Sequence, residues 1–379
     1  MQAHSIRRAG KDFTPPNATL ARDDDMKHFS TIFLVIGIFV TGCGQNGGED
    51  ERAGRAEQSW KFAIEEIEGS VQHRYAMAFK ERVEALSEGS IEVTVFPYGQ
   101  LGTSSQLTEL AQLGSIQFAM ASPGHLGSVI PEVQLFSLHF VFSDNEAVNR
   151  RVLSGNRELH DTLEEAYRRS GLAFVTAFQE GWMAWTANKP ILEPDDFRGV
   201  KMRTMNSPLL IRAYELYGAN PTTLAYSEVY SALQLNMIDA QVNPVFAIEE
   251  MSFYEVQTHM MLPRHLPFIT TLTANANFLD ALSPEDRKMV DDVVDELSEE
   301  IFNVQRQLNT GRMEMIRASS DIEIIDLNDS QRAAFRDASL PIRDQYVTLA
   351  GDRGEKLLSI LLDAIAAEEA SMGEGTETK

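Results

Sequence analysis

Trp60-Lys61-Phe62-Ala63-Ile64, then Val71, Tyr75, Phe79, Val83 and Leu86, then Ile91-Glu92-Val93-Thr94-Val95-Phe96: the order of these three segments decides the fold class. The first alternates in polarity, as a half-buried strand does. In the second, apolar residues recur at helical spacing until Gly89, a residue suited to the turn that ends a helix. The third is rich in β-branched residues and is closed by Pro97-Tyr98-Gly99. Strand, helix and strand joined by short links describe a βαβ unit and hence an α/β fold with a largely parallel sheet.

Working downstream, a helical stretch runs to Gly114, Ile116 to Ala121 reads as strand, and Ser122-Pro123-Gly124 as a turn. A second α/β set follows. Leu172 to Phe178 and Val200 to Met205 are apolar strands, and Ser207-Pro208 starts a helix that runs to Tyr217 and stops at Gly218. Ser227 caps a helix from Glu228 to Leu235, with Asn236 suited to the left-handed cap. Met237 to Gln241 and Thr270 to Asn275 are further strands. Ser283-Pro284-Glu285-Asp286 opens the longest helix, with Val290, Val293, Val294, Leu297, Ile301, Val304 and Leu308 on one face. The acidic tail after Ala366 is expected to fray.

A chain of 379 residues exceeds the ~250–300 at which a single core stops growing, so two core-bearing domains are expected. Upstream, Met26-Lys27-His28 precedes an apolar run from Phe29 to Val40 that is short for a membrane-spanning helix, and Val40-Thr41-Gly42-Cys43 follows. This is the plan of a signal peptide, and its ending resembles the lipobox of bacterial lipoproteins, with Cys43 as the lipidated residue. Residues 1–25 read as an over-extended start. Residues 43–58 are too polar to bury a core and read as a tether. Cys43 is the single cysteine, so neither an intramolecular disulfide nor a cysteine-built metal site is available. The net charge of -23 sets the chain against nucleic acid and anionic membrane surfaces as partners. Membrane contact is expected only through a lipid anchor at Cys43.

No G-x-S-x-G, H-E-x-x-H, P-loop, G-x-G-x-x-G or EF-hand pattern occurs. His259 and His265 have no cysteine or paired carboxylate nearby in sequence and read as ordinary polar residues. No enzyme activity, metal or cofactor is expected.

The stretch Pro190-Ile191-Leu192-Glu193-Pro194-Asp195-Asp196-Phe197-Arg198-Gly199-Val200-Lys201-Met202-Arg203 resembles the DctP-like solute-binding proteins of TRAP transporters. The likeness continues through Gly218 to Thr222, Tyr226 to Gln234 and Asp239 to Pro244. Upstream it takes in Gly89 to Val93, Pro97 to Gly102 and Phe140 to Phe142, so that it spans about Trp60 to Asp326. It implies a two-lobed type II periplasmic-binding-protein-like fold with a hinge, an interlobe cleft and a long helix across both lobes. The expected division is 59–182 plus 270–311 for lobe I, 183–269 plus 312–367 for lobe II, and a frayed tail over 368–379. The implied function is extracytoplasmic capture of a small organic carboxylate, delivered to the TRAP membrane subunits by a protein lipid-anchored to a bacterial membrane.

Residue by residue, the arginine of the family's K-x-R falls on Arg203 and is implied to pair with the ligand carboxylate, for which a planar guanidinium is suited. Asn243, in Gln241-Val242-Asn243-Pro244, is implied to donate to the ligand; a turn-making role before Pro244 is its alternative. Tyr226 is a wall of the site or a core tyrosine. Glu66 and Ser122 complete the expected ligand-binding set. In Gly181-Trp182-Met183-Ala184-Trp185, Met183 stands where the family often has a second arginine. Trp182 and Met183 are therefore expected at the site, Trp182 and Trp185 favour an apolar or aromatic monocarboxylate, and their alternative is a core position for both tryptophans. The rival readings are a lipoprotein enzyme acting on organic acids and a sensory ligand-binding lipoprotein.

Overall fold

The computed structural model describes residues 57–374, so the signal peptide, Cys43 and most of the tether lie outside the described residues. Strand β1 (Gln58–Ala63) pairs in parallel with β2 (Ile91–Phe96) and β3 (Phe118–Ala121). The connecting helix Val71–Leu86 is capped by Ser70, whose side chain accepts from the His73 N–H. Its buried face joins Phe79 to Phe62 and Phe118, with ring centroids 5.1–5.8 Å apart in tilted and edge-on pairs.

The remaining strands are β4 (Leu172–Ala187), β5 (Lys201–Thr204), β6 (Asn220–Thr223), β7 (Ala240–Pro244), β8 (His259–Leu262), β9 (Pro267–Asn275) and β10 (Glu323–Asp326). Their order is β2-β1-β3-β9-β4-β7-β5-β6, with β8 on β4 and β10 on β8. The sheet is mixed rather than largely parallel. Both β3 and β4 run antiparallel to β9, and β7 and β8 run antiparallel to β4. The sequence reading missed this because it ended β4 at Phe178, whereas the strand continues through nine more residues to Ala187.

That continuation links the two lobes. From Leu172 to Trp182, β4 pairs with β9; from Met183 to Ala187 it pairs with β7 and β8. A bulge falls between Gln179 and Gly181. Gly181 has φ 141°, and a Cβ there would sit 2.5 Å from Asn309 Nδ2, which donates to the Glu180 carbonyl. Asn309 belongs to the long helix Pro284–Ser319, so the hinge strand and this helix touch where only glycine fits. The helix buries Val290, Val293, Val294, Leu297 and Ile301 in the lobe I core with Phe62 and Phe79, and Ile316 in a lobe II core with Val229 and Ile248. It lies across both lobes.

The helix Pro341–Glu374, broken at Gly351, buries Ile342, Tyr346, Leu357, Leu361 and Ile365 with Val133, Leu135 and Leu163. The sequence division placed 312–367 in lobe II, but this apolar face is covered by elements of lobe I. The acidic tail does not fray after Ala366. It stays helical to Glu374, where Glu368 pairs with Arg151 at 3.2 Å and Glu369 accepts from Ser143.

Candidate functional site

Strands β5 and β7 lie side by side, with Arg203 opposite Gln241. Gln241 and Asn243 are two residues apart on a strand and share a face. Arg203 is 1% exposed. Its Nε and Nη2 donate to the Leu224 carbonyl at 3.2 and 2.8 Å, leaving Nη1 without a partner among the described residues. No carboxylate of the described chain pairs with it. Burial lowers its pKa to about 10, so the guanidinium keeps its charge near neutrality.

A cavity of about 30 Å³ forms at this face, lined by Arg203, Asn243 and Tyr226 from one lobe and by Glu65, Glu66 and Ser122 from the other. Met205 and Phe268 close it. Gly124 packs so tightly against Met205 that an added Cβ would lie 2.6 Å from its sulfur. An outer cavity of about 260 Å³ shares Ser104, His125 and Tyr226 with the inner one. At its mouth the lobes meet: the Tyr98 hydroxyl donates to Ser227 Oγ at 3.4 Å, and the Tyr98 and Tyr226 rings stand edge to face at 5.8 Å.

The acidic side is held by Gln72. Its amide N–H donates to Glu66 Oε2 at 3.2 Å, and its side chain donates to Glu180 Oε1 at 3.0 Å while accepting from the Glu65 N–H at 2.8 Å. Burial, then the neighbouring Glu180 carboxyl, pushes the pKa of Glu66 well up, and burial does the same to Glu180. Glu250 is pushed up to about 8 by burial and by Glu66. The Glu66 and Glu180 carboxyls are close enough to share a hydrogen bond. Burial, with Glu250 and Glu66 nearby, also raises the Tyr226 phenol.

Thus five of the sequence-derived site residues, Arg203, Asn243, Tyr226, Glu66 and Ser122, line one cavity. Trp182 and Met183 do not. They border a separate groove of about 350 Å³ beside the long helix, with Arg264 and Arg317. Trp185 is fully buried, donates to the Tyr214 hydroxyl at 3.0 Å and packs edge-on against Phe197 at 5.0 Å. Its core alternative is the observed one. The expected aromatic wall is instead Tyr226 with Phe268. His265 is buried edge-on against His139 at 4.6 Å, away from the cavity lining.

Glu65, His125 and Phe268 were missed. The first had a readable signal, since paired acids directly follow the strand-like stretch Trp60 to Ile64, and the carboxyl ends of strands are where open α/β sheets bind ligands. Among the described residues no group of three or more His, Cys, Asp or Glu side chains could hold a metal, and no helix is long and apolar enough to cross a membrane.

Residues 62–348 match the DctP family, described as bacterial extracellular solute-binding protein, family 7. The ectoine-binding periplasmic protein TeaA of Halomonas elongata is 35% identical over 301 residues, covering 79% of this chain and 88% of TeaA. Its high-resolution structure superimposes with a TM-score of 0.79 at 34% identity, over 82% of this chain and 99% of that one. The ectoine/5-hydroxyectoine-binding protein UehA of Ruegeria pomeroyi is 33% identical, covering 87% of this chain and 97% of UehA. An apo open structure of a TRAP periplasmic solute-binding protein from Marinobacter aquaeolei gives a TM-score of 0.77 at 46% identity, over 80% of this chain and 99% of that one.

Proposed function

This chain belongs to the DctP family of TRAP-type bacterial extracellular solute-binding proteins, and from that premise we propose that it captures a small organic monocarboxylate between its lobes and delivers it to TRAP membrane subunits. Its relatives are binding proteins of transporters, not enzymes. One observation carries the ligand reading: Arg203 is a buried cation whose free Nη1 edge has no carboxylate in the described chain to meet. A buried unpaired charge is costly, and a ligand carboxylate offsets that cost.

Charge count supports a monocarboxylate. Among the described residues Arg203 is the only arginine lining the inner cavity, and the opposite lobe presents Glu65 and Glu66 with no lysine or arginine to meet a second ligand carboxylate. A ligand with a cationic group at that end would draw Glu66 into its ionised form. Ectoine, named for both relatives above, is a cyclic monocarboxylate with a cationic amidine. A compact zwitterion of this kind, its ring against Tyr226 and Phe268, fits the lining best.

The inner cavity, at about 30 Å³, is far smaller than the ~300–1,000 Å³ of ordinary ligand pockets. A ligand of several heavy atoms therefore enters when the lobes part, and closure brings Tyr98 to Tyr226 over it. Calorimetry with ectoine, an aromatic monocarboxylate and succinate tests the proposal. A monocarboxylate is expected to bind and succinate to bind weakest; tighter binding of succinate would show that a second cation reaches the cavity and would overturn the monocarboxylate reading.

The location that goes with this function is extracytoplasmic, with a lipid anchor at Cys43. Cys43→Ser is expected to move the protein from the membrane fraction to the soluble extracytoplasmic fraction, and continued membrane retention would count against the anchor.

A further inference from the structure

We propose that His125, held by Glu65, accepts a hydrogen bond from an N–H or O–H of the ligand on the side of the cavity facing Arg203, and so selects among carboxylates. The inference rests on Arg203 holding a carboxylate and adds a second recognition element from the other lobe.

The geometry sets which ring nitrogen is free. Glu65 Oε2 accepts from the Ser122 N–H at 2.9 Å, and Glu65 Oε1 lies 3.1 Å from His125 Nδ1. A carboxylate only accepts, so Nδ1 carries the proton that joins them. The same Nδ1 is 2.9 Å from Ser122 Oγ, whose own hydroxyl points to Met205 Sδ at 3.8 Å. Ser122 Oγ is therefore free to accept part of the Nδ1–H bond. With Nδ1 protonated, the neutral ring has its lone pair on Nε2. Nε2 has no partner among the described residues, and the ring lines both the inner and outer cavities. Glu65 acts through His125 and is a positioning residue.

This arrangement asks for a donor on the ligand. A carboxylate, a carbonyl or a quaternary ammonium offers none. An amidine N–H or a hydroxyl does, and leaving the Nε2 acceptor unpaired on closure would disfavour ligands lacking one.

The test uses the full mature chain, with ectoine, which carries a ring N–H, and N,N-dimethylproline, which has a carboxylate and a cation but no N–H. Nitrogen-15 NMR of the imidazoles comes first, because it needs no ligand. The expected signature of neutral His125 is a protonated Nδ1 and a bare Nε2, and Glu65→Ala is expected to mix the two tautomers. In calorimetry, wild type is expected to prefer ectoine by about 10- to 100-fold, the range of one buried hydrogen bond and its desolvation. His125→Phe keeps an aromatic ring and removes the acceptor, and is expected to bring the two ligands within about threefold of each other by weakening ectoine alone. A protonated Nε2 in wild type, or an unchanged preference in His125→Phe, overturns the proposal. Failure of wild type to bind either probe defeats the zwitterion reading instead, and the tautomer still decides the role of His125.

Discussion

Two concave regions of this molecule contain arginine and aromatic side chains, and they differ in almost everything else. The groove beside the long helix is the larger, at about 350 Å³ against about 30 Å³ for the inner cavity. It has the indole of Trp182 and two guanidiniums, Arg264 and Arg317, without partners among the described residues. Both arginines are exposed, so water solvates them, and the groove supplies its own acids in Glu314 and Asp326. Arg203 is buried and has no acid to pair with among the described residues. Size and residue type therefore point to one region, and the cost of an uncompensated buried charge points to the other. Burial decides between them, because an exposed unpaired cation costs little while a desolvated one costs several kcal/mol.

The largest expected effect tests that difference directly. Removing one partner of a desolvated charge pair costs ~2–5 kcal/mol, or about 30-fold to several thousand-fold in affinity. Arg203→Met is expected to lose carboxylate binding by that factor in calorimetry, and Arg203→Lys to retain part of it, since an ammonium lacks the paired donors of a guanidinium. Arg264→Met is expected to stay within about twofold, as exposed charges contribute little. Binding by Arg203→Met within about threefold of wild type, or a large loss in Arg264→Met, would reverse the two regions.

A smaller effect sharpens the contrast through pH. The folded pKa of Glu66 is raised by burial and by Glu180, so its carboxyl holds a proton to higher pH than an ordinary glutamate does. A ligand cation binds best when that proton has left. Affinity for ectoine is thus expected to fall as pH drops through the raised pKa of Glu66, by up to about tenfold per unit for one linked proton. Glu66→Gln is expected to weaken ectoine and remove that slope, while leaving an uncharged-ring monocarboxylate little changed. A slope that survives in Glu66→Gln would assign the proton to another group, such as Glu250, which is pushed up to about 8.

What could be read from the sequence divides along the same line. Many local elements were legible because they carry their own period and punctuation: Ser207 and Ser283 cap the helices that follow them, and β2 ends at Phe96, directly before Pro97-Tyr98-Gly99, whereas Ser227, read as a cap, instead meets the Tyr98 hydroxyl. Arg203 and Asn243 were legible through ordered motifs on β5 and β7. The role of Gly181 to Trp185 was not. Alternation along a strand says that Trp182 and Met183 face opposite sides, but not which side is the cleft when β4 changes partners between them. His125 was hidden for a related reason. Its partner Glu65 lies 60 residues away in sequence, and only the parallel pairing of β1 with β3 brings the two together.

The smallest expected effect is the one that would do the comparison most damage if it proved large. Trp182 is half-buried on the larger groove, on the stretch where the sequence suggested a flat wall for the ligand. Trp182→Phe keeps an aromatic surface there and Trp182→Ala removes it. If the ligand lies against Tyr226 and Phe268, neither change removes a ligand contact, and affinity in both variants is expected to stay within about threefold of wild type, a difference of about 0.65 kcal/mol. Thermal midpoints provide the control, because a loss of stability without a loss of affinity places the indole in packing beside the hinge. A loss of affinity in Trp182→Ala that Trp182→Phe restores, with the Arg203 cavity variants unaffected, would move the ligand to the groove.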